Sequence, residues 1–154
     1  MPPVLDAAAF LQKLAGMNMI RYSAGENVLT SGSKTGRLVV LRNGSVEVVK
    51  DGVQIAKVSA PGAVFGELAI FLDQAHTADV RALEQSDFYV ANAETLLTYH
   101  PAVALYVAAI IARRLDSANQ ALVEVRRQLQ AGEPRIAIGK TIEQVEQTYS
   151  YLLF

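Results

Sequence analysis

The chain has 154 residues, with 14 basic against 15 acidic side chains and 51% hydrophobic residues, which suits one domain with a single buried core. A charge this close to neutrality creates no field that would recruit a polyanion such as nucleic acid. The chain contains no cysteine, which excludes a disulfide framework and a thiolate metal site.

The N-terminal segment predicts one short helix and no targeting signal. Asp6 can cap a helix over residues 7–15, which Gly16 would end. A signal peptide would need a basic segment followed by an apolar one, and the first residues show neither. The longest apolar run, residues 102–112, is too short to cross a bilayer. We therefore expect a cytoplasmic protein that makes no membrane contact.

Short β-segments separated by glycine turns follow this helix. Two apolar runs, 38–41 and 46–49, flank Asn43-Gly44, and this dipeptide between such runs is the strongest short signal for a β-hairpin. Another turn is predicted at residues 50–52. Further strands are predicted at residues 54–58, 77–83 and 88–91. Many short strands with glycine turns favour a barrel or a sandwich.

Residues 65–82, FGELAIFLDQAHTADVRA, combine a glycine turn with a short run of helix formers. Gly66 permits a turn that a side chain would obstruct, and a short helix is predicted to begin at Glu67. The first amides of a helix lack internal partners and lie at the positive end of its dipole, so they can hold a phosphate. The Glu67 carboxylate does not suit that phosphate, but it can accept a hydrogen bond from a sugar hydroxyl. The segment therefore predicts a pocket for a ribose phosphate.

These residues closely resemble the cassette of cyclic nucleotide-binding domains, the sensor module of catabolite activator protein, of cyclic-nucleotide-dependent kinases and of cyclic-nucleotide-gated channels. The family pattern is roughly F-G-E-[LIM]-A, a short loop, then R-[TSA]-A and a strand. Residues 65–69 match its first part and residues 77–78 its end, while His76 stands in the position of the arginine. Residues 21–29 and 38–49 also resemble the strands that open the family's β-roll.

The resemblance implies a mainly β fold with flanking helices (α+β), an eight-stranded jelly roll, and cAMP or cGMP as the ligand without any cofactor. In the family the arginine pairs with the cyclic phosphate and the glutamate with the ribose 2′-hydroxyl. The residue after the arginine contributes to the choice between guanine and adenine, and Thr77 resembles the guanine-preferring members. The ligand-binding residues implied here are Phe65, Gly66, Glu67, Leu68, Ala69, His76, Thr77 and Ala78.

Histidine in the arginine position should weaken the binding of a cyclic phosphate. Arginine presents a fixed fork, whereas histidine offers at most two donors and is mostly neutral at pH 7. A charge-assisted hydrogen bond contributes about 1.5–3 kcal/mol, so the affinity would fall roughly ten- to a hundred-fold. The alternatives are that His76 is a solvent-exposed loop residue, and that Glu67 is only a helix-start carboxylate favoured by the dipole.

One long helix is predicted after the β-segments. Pro101 suits its first turn, and the next proline or glycine is Gly132, so about thirty residues continue without a break. Apolar residues recur along this helix with heptad spacing, and the helix is longer than a small barrel can cover. Both features predict a parallel homodimer through this helix. The alternative is that the helix packs only on the barrel of its own chain. Arg113-Arg114 and Arg126-Arg127 are predicted to form a solvated face. The seam residues are Ala104, Ala108, Ile111, Leu115, Ala118, Leu122, Val125 and Leu129.

Residues 131–154 form the tail. Residues 141–144, TIEQ, have the pattern of a capping box and predict a terminal helix to about Tyr151. The apolar residues 149–154 would dock on a partner or pack within the chain. The tail is too short for a helix-turn-helix module, so no direct DNA binding is expected.

The sequence as a whole predicts a helical segment (1–18), a cyclic nucleotide-binding-like barrel (19–92), C-terminal helices with the dimer seam (93–130) and the tail. The leading function is a stand-alone cyclic nucleotide sensor that moves the long helix and acts through a downstream protein partner. The alternative is a degenerate domain without ligand that serves as a dimerisation or scaffold module. No catalytic or metal site is expected, because His76 and His100 have no nearby partners with metal-ligand spacing.

Overall fold

The computed structural model describes the backbone of residues 6–152 and the side chains of residues 6–144. Within these residues there are eight strands and five helices. In chain order they are α1 (Ala7–Leu14), β1 (Met19–Tyr22), β2 (Asn27–Leu29), β3 (Arg37–Asn43), β4 (Val46–Lys50), β5 (Val53–Val58), β6 (Val64–Phe65), α2 (Glu67–Phe71), β7 (Asp79–Ala82), β8 (Ser86–Asn92), α3 (Ala93–Tyr99), α4 (Pro101–Gln130) and α5 (Arg135–Leu152).

The strands form two antiparallel sheets of four strands each, in the orders β1-β8-β3-β6 and β2-β7-β4-β5. Apolar side chains from both sheets are almost completely buried and make one continuous core. Leu38 and Phe88 come from the first sheet, and Val46 and Val58 come from the second. This arrangement, with helices at the flanks, confirms the predicted jelly-roll fold.

The predicted hairpin at Asn43-Gly44 is wrong. β3 pairs with β6 and β8, whereas β4 pairs with β5 and β7, so the chain passes from one sheet to the other at this point. Gly44 has a φ of 107°, and a Cβ there would clash with Ser86 Oγ. The Ser45 N–H donates to the same hydroxyl at 3.1 Å. Close contact with Ser86, rather than a hairpin, therefore requires the glycine.

The turn between β4 and β5 is the hairpin of this region. Its central residues, Asp51 and Gly52, have φ values of 51° and 77°. Two successive positive values match the right-handed twist of paired strands. The predicted turn at residues 50–52 is therefore confirmed.

Two helices pack against the sheets as predicted. The Asp6 side chain accepts a hydrogen bond from the Ala9 N–H at 3.0 Å, which caps α1. The Phe10 ring stacks on the Tyr106 ring, with centroids 3.8 Å apart, and joins α1 to α4. α4 has 30 residues and begins at Pro101. Four residues of its N-terminal half are buried against the core: Val103, Tyr106, Val107 and Ile110.

The tail forms a longer helix than predicted. α5 begins directly after Pro134, so Thr141 lies inside the helix and the predicted capping box at residues 141–144 is wrong. Gln128 Nε2 donates to Thr141 Oγ1 at 3.0 Å, and both side chains are buried. Because buried polar groups need partners, this pair fixes α5 back along α4. α5 also packs against β5, whereas the side chains of residues 149–154 lie outside the described residues, so their docking stays a prediction.

Among the described helices, none alone has the length and hydropathy needed to cross a membrane. α3 and α4 together meet those two criteria, but a bend of 108° separates them.

Candidate functional site

A pocket of about 120 Å³ lies between the cassette and the strands of the second sheet. All eight residues that the resemblance implies are in its wall, so the structure brings them together. That they bind a ligand stays a prediction. The complete lining is Leu29, Val48, Lys50, Ile55, Phe65, Gly66, Glu67, Leu68, Ala69, His76, Thr77, Ala78 and Val80.

The cassette turn is shaped by close backbone contact. Gly66 has a φ of 91°, and a Cβ there would lie 2.6 Å from the carbonyl oxygen of Arg37 on β3. A side chain at this position would therefore be strained and would also clash. The turn leads directly into α2, which begins at Glu67 as predicted and has five residues.

Glu67 forms an ion pair with a residue of the long helix. Its Oε1 lies 2.7 Å from Arg114 Nη1, and the exposed fractions of the two side chains are 3% for Glu67 and 11% for Arg114. The prediction that Arg113-Arg114 forms a solvated face is therefore wrong for Arg114, although Arg113 is exposed. The ion pair connects the pocket directly to α4.

Sequence reasoning missed Arg114, but the helical spacing contained a signal. Val103, Val107 and Ile110 form the buried stripe of α4, and Arg114 follows Ile110 by four residues. Residues three and four apart lie on the same face of a helix. An arginine on this stripe should therefore reach an acidic partner in the barrel rather than solvent.

His76 is buried beside the cassette turn. It is 5% exposed, its Nε2 lies 2.8 Å from Thr35 Oγ1, and Thr35 Oγ1 accepts a hydrogen bond from the Arg37 N–H at 3.2 Å. The alternative of a solvent-exposed loop histidine is therefore wrong. Burial lowers the pKa of the His76 imidazole below its usual 6.5, because charging a buried ring costs hydration. The ring is accordingly neutral at pH 7.

This burial predicts a dependence of stability on pH. The folded-state pKa of His76 lies below the unfolded-state value, so the unfolded chain binds the proton more readily. The free energy of unfolding that the buried neutral His76 ring contributes is complete above the unfolded-state pKa of about 6.5. This contribution is lost as the pH falls below that value, because the unfolded chain then binds a proton that the folded chain does not. We therefore expect the free energy of unfolding in urea to decrease between about pH 7.5 and about pH 5.5.

His76→Gln should flatten that decrease, whereas His100→Gln, a change at an exposed histidine, should retain it. The carboxyl groups of Glu47, Asp87 and Glu124 also have lowered pKa values, mainly through hydrogen bonds from Arg81, Arg21 and Arg127. Their usual values are 4.5, 3.8 and 4.5, so they titrate below this window. An unchanged slope in His76→Gln would show that His76 is not buried in solution.

Comparison with known proteins places this pocket in a family. The model of the cyclic nucleotide-binding domain matches residues 19–100, which is more than half of the chain. The crystal structure of Thermus thermophilus catabolite activator protein superposes with a TM-score of 0.62 at 20% identity, over 96% of this chain and 84% of that one. At that identity, the likeness concerns the fold.

Two relatives are similar in sequence. Glutaminase 2 of Bradyrhizobium diazoefficiens is 37% identical over 122 residues, which cover 74% of this chain and 19% of the glutaminase. The cAMP-dependent protein kinase regulatory subunit of Yarrowia lipolytica is 32% identical over 80 residues, which cover 52% of this chain and 21% of that subunit. The matched region thus spans about a fifth of each relative. On the match to residues 19–100, the chain belongs to the cyclic nucleotide-binding domain family.

Proposed function

We propose that this chain is a sensor domain that binds cAMP or cGMP in the pocket and transmits binding to α4. The ion pair between Glu67 and Arg114 carries the proposal, because one of its partners lines the pocket and the other lies on the long helix. A ligand that bonds to Glu67 changes the charge density on the carboxylate that holds Arg114. The position of α4 then depends on whether the pocket is filled.

The lining of the pocket fits the parts of such a ligand. The ribose hydroxyl donates to Glu67, and the base contacts the apolar side chains of Val48, Ile55 and Val80. The cyclic phosphate lies beside His76 and the Gly66 turn. Thr77 is in the same wall, and its resemblance to the guanine-preferring members supports cGMP as one of the two candidate ligands.

Binding should stabilise the fold by a measurable amount. A ligand at about a hundred times its dissociation constant adds about 2.7 kcal/mol to the free energy of unfolding, because it binds only the folded chain. Thermal unfolding with cAMP and with cGMP measures this, and the 2′-deoxy form of each nucleotide is the matched control that lacks the hydroxyl for Glu67. No shift at millimolar concentration of either nucleotide would contradict the proposal.

A second function is favoured by one observation. The residue in the position of the family's arginine, His76, is buried and neutral, so the pocket has lost its phosphate-binding guanidinium. A domain that binds no ligand would retain the fold as a dimerisation or scaffold module. The same thermal measurement separates the two functions.

The output of the sensor would be a protein contact on α4. Leu115, Leu122 and Leu129 are 61%, 68% and 63% exposed and follow each other at intervals of seven residues. An exposed apolar row with this spacing suits pairing with a second long helix. We propose that two chains form a homodimer through this row and that the ligand-dependent position of α4 is detected by a downstream protein.

A further inference from the structure

We infer that Thr35 is a positioning residue for His76, and that its hydroxyl donates to Nε2 so that the ring offers an N–H on Nδ1 to the phosphate of the ligand. This inference rests on the proposed function, which places the cyclic phosphate beside His76 and the Gly66 turn. The ring then adds one oriented, neutral donor to the backbone amides of that turn.

The backbone of His76 is held by the loop of residues 30–36, between β2 and β3. The His76 N–H donates to the Ser33 carbonyl oxygen at 2.8 Å, and the His76 carbonyl oxygen accepts from the Gly32 N–H at 2.8 Å. The Asp79 carboxylate accepts from the Ser31 N–H at 2.7 Å, so it is directed toward the same loop. The end of the cassette and this loop therefore form one hydrogen-bonded unit.

The ring of His76 is fixed by neighbouring residues of the same segment. Its Nε2 lies 2.8 Å from Thr35 Oγ1, and its Cε1 lies 3.5 Å from the point that a Cβ on Gly66 would occupy. Arg37 connects these two contacts, because its N–H donates to Thr35 Oγ1 at 3.2 Å and its carbonyl oxygen lies against Gly66. The ring is therefore held with one edge at the cassette turn.

The hydrogen bonds of Thr35 determine which ring nitrogen carries the proton. A neutral imidazole has one N–H, and the partner of one nitrogen sets the state of the other. Thr35 Oγ1 already accepts from the Arg37 N–H, and within the described residues its hydroxyl has no acceptor other than His76 Nε2. Donation to Nε2 completes a chain in which each group donates to the next, and such chains strengthen their members. The proton of the ring is then on Nδ1.

Nδ1 is the ring nitrogen that remains for the ligand. It has no hydrogen-bond partner in the part of the chain that the structure describes, although His76 is only 5% exposed and lines the pocket. A buried polar atom needs a partner, and a phosphate oxygen beside the Gly66 turn supplies one. The opposite tautomer would direct a lone pair at the phosphate and repel it. Because a hydrogen bond to a charged oxygen is stronger than one between neutral groups, even a neutral ring contributes to binding.

NMR of the ring nitrogens tests the assignment in the ligand-free chain. The chain has two histidines, so His100→Gln, at an exposed position, leaves His76 as the one signal. Long-range ¹H–¹⁵N correlation spectra at about pH 8, where the ring is neutral, distinguish a protonated ring nitrogen from an unprotonated one. We expect the proton on Nδ1, and the Nδ1 signal should shift when saturating cGMP or cAMP is added. A proton on Nε2 would overturn the inference and leave the proposed function intact.

Variants of the loop test the contribution to binding. Thr35→Val removes the hydroxyl and keeps the shape of the side chain, and isothermal titration should show about tenfold weaker binding of cGMP and cAMP. Thr35→Ser retains a hydroxyl and should bind like the unmodified chain. The matched control is Ser33→Ala, which removes a hydroxyl that donates to the Thr30 carbonyl oxygen at 2.6 Å instead of to the ring. This control should retain both the affinity and the proton on Nδ1.

The possible results separate the inference from the proposed function. An unchanged affinity in Thr35→Val, or an equal loss in Thr35→Val and Ser33→Ala, would overturn the role of Thr35 and leave the sensor function intact. Absence of binding of both nucleotides by the unmodified chain would overturn both. The spectrum of the unmodified ring decides the tautomer even if Thr35→Val does not fold.

Discussion

Replacing Arg114 with methionine should lower the free energy of unfolding by about 3–5 kcal/mol, which is the usual cost of removing one partner of a buried ion pair. The variant keeps an unbranched side chain of similar length but leaves the carboxylate of Glu67, 3% exposed, without its guanidinium. Most of the lost free energy of unfolding comes from leaving the Glu67 charge buried without a partner. The lost attraction between the two side chains contributes less. Urea unfolding at pH 7 measures the difference.

Two further variants separate this cause from general damage to the helix. Arg113→Met changes the neighbouring exposed residue and should alter stability by no more than about 0.5 kcal/mol. The double variant Glu67→Leu with Arg114→Met removes both charges and should recover most of the loss, since apolar replacements of buried pairs are often neutral. Equal costs for Arg113→Met and Arg114→Met would mean that the ion pair does not form in solution.

The same ion pair offers a direct check on signalling. If Glu67 transmits ligand binding to α4 through Arg114, the nucleotide should change amide hydrogen exchange in α4 in the unmodified chain. The Arg113→Met variant should keep this response. In Arg114→Met, which keeps the Glu67 carboxylate in the pocket, the connection is gone, so α4 should exchange at the same rate with and without saturating ligand.

The fold could be predicted wherever short-range sequence signals determine the structure. Pro101 and Gly132 bound a helix that really extends over 30 residues, and Asp6 caps the helix that it was expected to cap. Asn43-Gly44 failed because its geometry is determined by Ser86, which is distant in the sequence. A glycine that avoids a clash and a glycine that makes a hairpin look the same in one sequence.

The candidate site also has a part that nearby residues in the sequence predict and a part that depends on contacts between distant segments. Its cassette residues are close together along the chain, so one motif was sufficient to place them around one pocket. Arg114 and Thr35 come from distant segments, and they became visible only when α4 and the loop before β3 were packed against the cassette. A pair of arginines on a long helix favours solvent, whereas the four-residue spacing of Arg114 from Ile110 indicates the buried face. Motifs thus identified the wall of the pocket, and tertiary packing identified the groups that hold its side chains.

The distal half of α4 has one face covered and another open. α5 covers the side that carries Gln128, which bonds to Thr141, and it thus supplies part of the surface that the length of α4 requires. The heptad spacing predicts a second chain as that surface, with the chain's own barrel as the alternative, and neither includes a contact with α5. Leu115, Leu122 and Leu129 nevertheless remain exposed in this arrangement. Exposed leucines at seven-residue intervals suit the homodimer contact proposed above.

Leu115→Glu combined with Leu122→Glu should therefore convert the proposed homodimer into a monomer. In a parallel helix pair, residues at this seven-residue interval lie opposite the same residues of the partner helix. Glutamates there would repel each other and would remove the apolar contact between the leucines. Sedimentation equilibrium measures the mass. The control is Arg113→Glu with Gln120→Glu, two exposed positions seven residues apart that lie about 160° around the helix from the leucines. This control should stay dimeric, and a monomeric mass for the unmodified chain at high concentration would disprove the homodimer.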